Sequence, residues 1–362
     1  MHYHWFFEYN NQTTMLKLQT TLGFLVFATA AHGSEPRQVT FSHFDWEIVC
    51  DNTGTCRAAG YQPEDQDDQH HYRGVSILLT RAAGPNAPVD AELQVALADE
   101  APNRVAMQID GRALGEVRLH NAGGKLDATQ TKALLAAVLQ RSDIRWRTRQ
   151  GDYLLSTTGA TAVLLKMDAF QGRLGTPGAL VRKGNKAEAS VPDPVSIPAV
   201  KTVRVSGDQI DPRLLTTSQR RSLLAELQRT VVTRNGSECA AFDDGTPPPE
   251  SQAVRRLSKQ HLLVSLTCWT AAYNSGDAYW VVNTAAPYSP VLVTANGTEY
   301  VNSVLTAHHR GRGIGDCGNS DTWTWDGGKF VRTGADISQL CKGFPGGAWN
   351  MPSLVTKLDF QK

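Results

Sequence analysis

The sequence predicts an α+β protein of two strand-rich domains, with a few helices and disulfide staples. Three observations carry this. Short apolar–polar alternations recur along the chain, separated by hairpin dipeptides such as Asp110-Gly111 and Asp326-Gly327. Two stretches carry helical periodicity behind a capping box, at Asp127 and Thr216. The cysteines number six, an even set suited to cross-linking such short elements. A length of 362 residues leaves room for two ordinary domains.

Val39 to Cys50 alternates around Phe41, Phe44, Trp46 and Ile48 and reads as a strand that turns at the first cysteine pair. Val75 to Leu79 and Ala91 to Leu97 alternate in the same way. Arg104 to Ile109 and Ala113 to Leu119 flank Asp110-Gly111, a two-residue hairpin signal. Asp127 with Gln130 then opens a helix whose face is Leu134, Leu135, Val138 and Leu139. Ile144-Arg145-Trp146 and Tyr153-Leu154-Leu155 make another hairpin, and Thr158 to Phe170 a second helix. The stretch 183–202 carries Pro192, Pro194 and Pro198 with little periodicity, as an extended linker does. The expected division is therefore 34–183, a linker at 184–202, and 203–362. In the second part Val203-Arg204-Val205 is a strand, and Thr216 with Gln219 caps a helix with Leu223, Leu224 and Leu227 inside. His261 to Cys268, Tyr279 to Val282 and Val291 to Thr294 follow as strands, with Asn296-Gly297 and Asp326-Gly327 as hairpin turns.

The N-terminal sequence points to export. Lys17 precedes a ten-residue apolar run, Leu22 to Ala31, and Ala31-His32-Gly33 supplies small residues at the recognition positions. This order matches a signal peptide over 1–33, with Met15 as an alternative start. The run is too short to span a bilayer, which takes roughly 20 apolar residues. A periplasmic or secreted location follows. Six cysteines allow about 15 pairings; proximity and domain layout favour Cys50–Cys56, Cys239–Cys268 and Cys317–Cys341. Each of the two larger loops constrains the unfolded chain by about 3 kcal/mol. With 36 basic against 35 acidic residues the formal net charge is +1, so the chain lacks the broad positive field of a nucleic-acid binder.

Several segments resemble one family. Trp46-Glu-Ile-Val-Cys50-Asp51-Asn52-Thr-Gly-Thr-Cys56-Arg57-Ala58 is similar to the opening signature of the DUF1176 family, as are Leu78 to Pro85 and Leu164 to Asp168. Gly315-Asp316-Cys317-Gly318 with its following Trp-x-Trp, Cys341-Lys342-Gly343 and Gly346-Gly347-Ala348-Trp349 extend the likeness over the expected mature chain. The resemblance implies an exported bacterial protein with six cysteines and leaves activity open. A weaker likeness in layout connects the first half with the invasion-associated locus B family.

Three groups of residues invite chemistry. Glu64-Asp65-Gln66-Asp67-Asp68-Gln69-His70-His71 is dense in metal-ligand types, but adjacent histidines on a strand point to opposite faces, and a solvated loop is the better reading. His308-His309-Arg310-Gly311-Arg312-Gly313-Ile314-Gly315-Asp316 sets imidazoles, guanidinium groups and a carboxylate within nine residues. Trp323 and Trp325, two apart, share one strand face in an aromatic-rich half. No Gly-x-Ser-x-Gly, His-Glu-x-x-His or Ser-x-x-Lys set with its companions occurs, and no cysteine is left over as a nucleophile. The expected function is therefore recognition without catalysis: an envelope protein holding a cell-wall, glycan or protein partner through Trp323, Trp325, Arg310 and Arg312. No cofactor or metal is expected. The alternative is a hydrolase-type enzyme assembled around His308, His309 and Asp316.

Overall fold

The structure is a computed structural model that describes residues 38–64, 73–96, 102–205, 209–233, 236–243 and 245–361. The expected signal segment, Asp65 to His71 and Leu97 lie outside the described residues. The first half contains strands β1 (Val39–His43), β2 (Trp46–Cys50), β3 (Cys56–Tyr61), β4 (Val75–Arg81), β5 (Val89–Val95), β6 (Arg104–Ile109), β7 (Arg112–Arg118) and β8 (Gly123–Lys125). Helix α1 (Ala128–Gln140), β9 (Ile144–Thr148), β10 (Gly151–Leu155) and α2 (Ala160–Phe170) complete it. Strands β1 to β5 with β8 form a six-stranded sheet, and β10-β9-β6-β7 form a second sheet of four. Both sheets and both helices enclose a core around Trp46, Ile77, Leu79, Met107, Leu134 and Trp146.

Val39 to Cys50, expected as one strand, is a hairpin. Phe44 has φ 52° and the ladder pairs His43 with Trp46. Nothing in a phenylalanine announces that turn. The Asp110-Gly111 hairpin is as read, with φ of 49° and 77° at the two turn residues and Ile109 opposite Arg112. Capping boxes at Asp127 and Thr216 form as read, each satisfying an orphan N–H at the helix start.

The second half opens with β11 (Ala199–Val203) and α3 (Thr217–Val231), then a short pair, β12 (Val232–Thr233) and β13 (Gly236–Ser237). A four-stranded sheet follows in chain order: β14 (Ala253–Arg256), β15 (His261–Thr270), β16 (Ser275–Asn283) and β17 (Val291–Gly297). The next sheet has β18 (Glu299–Val301), β19 (Val304–Arg310), β20 (Gly318–Trp325), β21 (Phe330–Ser338) and β22 (Pro352–Leu354). The last strand, β23 (Lys357–Gln361), returns to pair in parallel with β11. One face of the four-stranded sheet buries Val264, Leu266, Trp280 and Val282 against Leu223, Leu224 and Leu227 of α3. Its other face meets Leu305 and Trp325 of the five-stranded sheet through Leu263, Tyr279 and Val281. Residues on both faces of β15 are thus buried, and its near-continuous apolar run follows from that.

Asn296-Gly297 is not the hairpin turn that its sequence suggests. It ends β17, and the turn lies at Asn302-Ser303, with φ of 51° and 71° between paired Val301 and Val304. Gly297 serves close approach instead: a Cβ there would lie 2.5 Å from the Tyr279 ring. The cysteines pair as Cys50–Cys56, Cys239–Cys268 and Cys317–Cys341.

Residues Pro36–Lys362 form one compact unit, and a boundary between two bodies is not seen at the proline-rich stretch. That stretch is strapped to the first half. Glu188 pairs with Arg173 at 3.1 Å, Val191 is buried, and Val195 N–H donates to the Thr53 carbonyl. Phe344 and Met351 in turn pack on Val49, Ala59, Tyr61 and Leu78, the face of the six-stranded sheet opposite its main core. No described helix is long and apolar enough to cross a membrane.

Candidate functional site

The histidine–arginine–glycine segment leaves β19 and turns back beside the Cys317–Cys341 disulfide. Alternation along the strand puts His308 and His309 on opposite faces. His308 is exposed beside a cleft of about 180 Å³ with Gly315, Asp316, Ser320, Asp336 and Trp349. The His309 ring lies 5.2 Å from Trp269, and its Nε2 is buried without a hydrogen-bond partner among the described residues. Arg310 is exposed, and its backbone is held by both ends of the Asn274 amide.

Arg312 and Asp316 hold the loop shut. The Arg312 fork donates to both carboxylate oxygens, with Nε to Oδ1 at 2.7 Å, and a further N–H reaches the Cys341 carbonyl. The Gly343 N–H also donates to Asp316. Burial pushes the Asp316 carboxyl up, but the Arg312 hydrogen bond, the Gly343 N–H and the Arg312 charge outweigh it and hold it below its ordinary value. Gly311 is required because a Cβ would sit 2.5 Å from the Cys317 sulfur. Of the side chains expected to form an acid–base set, His308 and Asp316 border the same cleft, whereas His309 lies on the other face of the strand, against Trp269. Asp316, Cys317 and Cys341 bring their ligand-type atoms within 4.8 Å, but both sulfurs are spent in the disulfide.

Trp325 and Trp323 lie on one face, as their spacing requires, at different depths. Trp325 is 1% exposed, packed with His261 and Phe330, so it offers no open stacking plate. Trp323 is half-buried and lines a groove of about 450 Å³ between β17 and the β20–β21 hairpin. Val281, Val291, Val293 and Phe330 give the groove apolar walls; His261, Asn283, Ser289, Lys329 and Arg332 give it a polar rim. Arg332 is anchored by Asp321 at 2.7 Å, whereas Lys329 makes no ion pair among the described residues. Val291, 63% exposed, and Phe330 were not singled out in the sequence. The signal for Phe330 was its place in the same hairpin, four residues after the turn begins.

The signature-like segments of the two halves meet across the C-terminal stretch. Glu47 is fully buried and accepts hydrogen bonds from Tyr61 Oη at 2.7 Å, Ser338 Oγ at 3.2 Å and the Gln339 N–H at 2.6 Å. Burial raises its carboxyl above the ordinary range despite these donors. Lys342 pairs with Asp45 at 2.6 Å, and the Trp349 indole N–H donates to Ser76 at 2.7 Å. The family described as "Protein of unknown function (DUF1176)" matches residues 40–356. The chain belongs to the DUF1176 family. It is also 29% identical over 335 residues to "Uncharacterized protein YpfG" of Escherichia coli (strain K12), covering 85% of this chain and 89% of that protein. No solved structure matches significantly.

Within this DUF1176 chain the signature-like segments supply buried polar contacts between distant parts of the fold. The Leu78 to Pro85 and Leu164 to Asp168 segments meet where Arg81 approaches buried Asp168 at 3.7 Å. Burial and the Arg173 charge hold the Arg81 guanidinium down to about 10. Burial lifts the Asp168 carboxyl, although the Leu180 and Val181 N–H groups and both arginines oppose this. Gln171 donates to the Gly54, Arg81 and Ala82 carbonyls beneath them.

Proposed function

We propose that this is a non-catalytic recognition protein of the bacterial envelope that binds a glycan of the cell wall in the Trp323 groove. The observation that carries the reading is the half-buried Trp323 indole, set in an apolar trough with amide, hydroxyl, imidazole and cationic groups at its rim. A sugar ring has the matching chemistry: a flat C–H face for stacking and hydroxyls for the rim. Three disulfides suit an oxidising, extracytoplasmic compartment, where such a partner resides. The recognition reading is preferred to a hydrolase because Asp316, although it borders the same cleft as His308, is engaged by Arg312 and Gly343, and His309 lies on the opposite strand face. Trp325 is assigned to the groove's foundation, Arg312 to closure of its own loop, and Arg310 to the exposed edge beyond the groove.

Pull-down of cell-wall fragments with the purified mature chain tests this. Trp323→Ala is expected to lose the bound glycan while keeping its thermal midpoint within a few degrees. Retention at wild-type levels by Trp323→Ala, or hydrolysis of the fragments lost in His308→Ala, overturns it.

A further inference from the structure

A second surface lies in the first half, on the outer face of the β10-β9-β6-β7 sheet. Register places Arg104 opposite Arg118, and Ala106 opposite both Glu116 and Arg147. Their neighbours Val105, Met107, Val117 and Trp146 point into the core, so the arginines share the outer face. Arg149 follows the end of β9 and, with Arg104 and Arg147, lines a cleft of about 840 Å³. Neighbouring strands lie about 4.8 Å apart, so Arg104 and Arg118 stand on adjacent strands, with Arg147 on the other side of β6 and two residues along in register.

The described acidic groups on this face are engaged. Glu116 pairs with Arg104 at 3.1 Å, and Asp152 lies 3.4 Å from Arg147 and 3.9 Å from Arg145. Asp143 pairs with Arg145 at 2.7 Å. Arg149 in the cleft and Arg118, opposite Arg104 beside it, are exposed and have no acidic partner among the described residues. Asn103 and Gln150 add amides at the rim.

We infer that this cleft binds a carboxylate-bearing polysaccharide. Guanidinium forks bind carboxylates in two-point fashion, and unpaired exposed ones supply the charge complementarity. A concave cleft admits a chain, whereas a bilayer surface would meet only its rim. The net charge of +1 argues against a nucleic acid. This site is separate from the Trp323 groove and does not depend on it.

The test is binding of polygalacturonate to the mature chain at several salt concentrations, with neutral dextran and phosphatidylglycerol vesicles as parallel probes. Polygalacturonate is expected to bind and dextran not, with affinity falling as salt rises. Arg118→Gln with Arg149→Gln weakens binding roughly ten-fold, two exposed ion pairs being lost. Lys132→Gln on α1, which removes one positive charge elsewhere, leaves it unchanged. Equal binding by the double variant, or no binding at low salt, overturns the assignment. So does vesicle binding that the double variant abolishes while polygalacturonate is ignored, which would make the partner a membrane.

Discussion

At the scale of single residues, Asp316 shows how a residue that reads as a catalytic acid in sequence is consumed by structure. Its side chain is buried, both oxygens take the Arg312 fork, and a third donor arrives from Gly343. Composition alone could place imidazole, guanidinium and carboxylate within nine residues, but pairing in space decides their chemistry. Asp316→Asn removes the charge and leaves one of its donors facing an amide N–H. Arg312 is half exposed and regains water, so the cost is about 1–3 kcal/mol at neutral pH. The folded-state carboxyl is held low, so the unfolded chain binds the proton more readily. Its stabilisation is therefore present above the ordinary carboxylate range and lost as pH falls through the depressed value. Urea unfolding at pH 7 and near pH 3 should show a gap between wild type and variant that narrows in acid. A gap independent of pH would mean that the ion pair is not its source.

Secondary-structure elements were legible wherever a local chemical device defines them. Asp127 with Gln130 and Thr216 with Gln219 announce helix starts because the reciprocal hydrogen bonds are local. Asp110-Gly111 announces a turn because both residues tolerate positive φ. The misreadings are cases where a tertiary contact decides. Gly297 makes room for the Tyr279 ring, and Phe44 adopts φ 52° in a turn whose Asp45 N–H donates to the Thr158 carbonyl. The end of α1 had no sequence signal either, because Arg141 occupies the left-handed position that glycine usually takes, at φ 59°. Arg141→Gly relieves that strain and should raise stability by about 0.5–1 kcal/mol. Asp127→Ala, at the other end of the same helix, should lower it by about 1 kcal/mol. Thermal unfolding of the two variants checks both signs, and a loss in Arg141→Gly would show that the arginine side chain contributes more than its backbone costs.

At the scale of the whole molecule, the candidate groove was legible as aromatic density, but its depth was not. Whether Trp323 or Trp325 meets solvent depends on how two sheets pack, which a spacing of two cannot encode. The linkage between halves was hidden for the same reason. Residues 339–351 carry few regular elements, yet they bring Lys342 to Asp45 and the Gln339 N–H to Glu47, and they seat Phe344 and Met351 on the back of β2 to β4. β2 is consequently buried along its whole length, one face against the main core and the other against the C-terminal stretch. We expect the halves to unfold together rather than as separate domains. Met351→Ala should cost about 2–5 kcal/mol, the usual range for emptying a buried methionine site. The sharper readout is hydrogen exchange. If the C-terminal stretch couples the halves, exchange rises both in β2 and β3 and in β21 and β22, because all four border the vacated site. Faster exchange confined to β21 and β22 would mean that the first half stands on its own core and that the two halves are energetically independent.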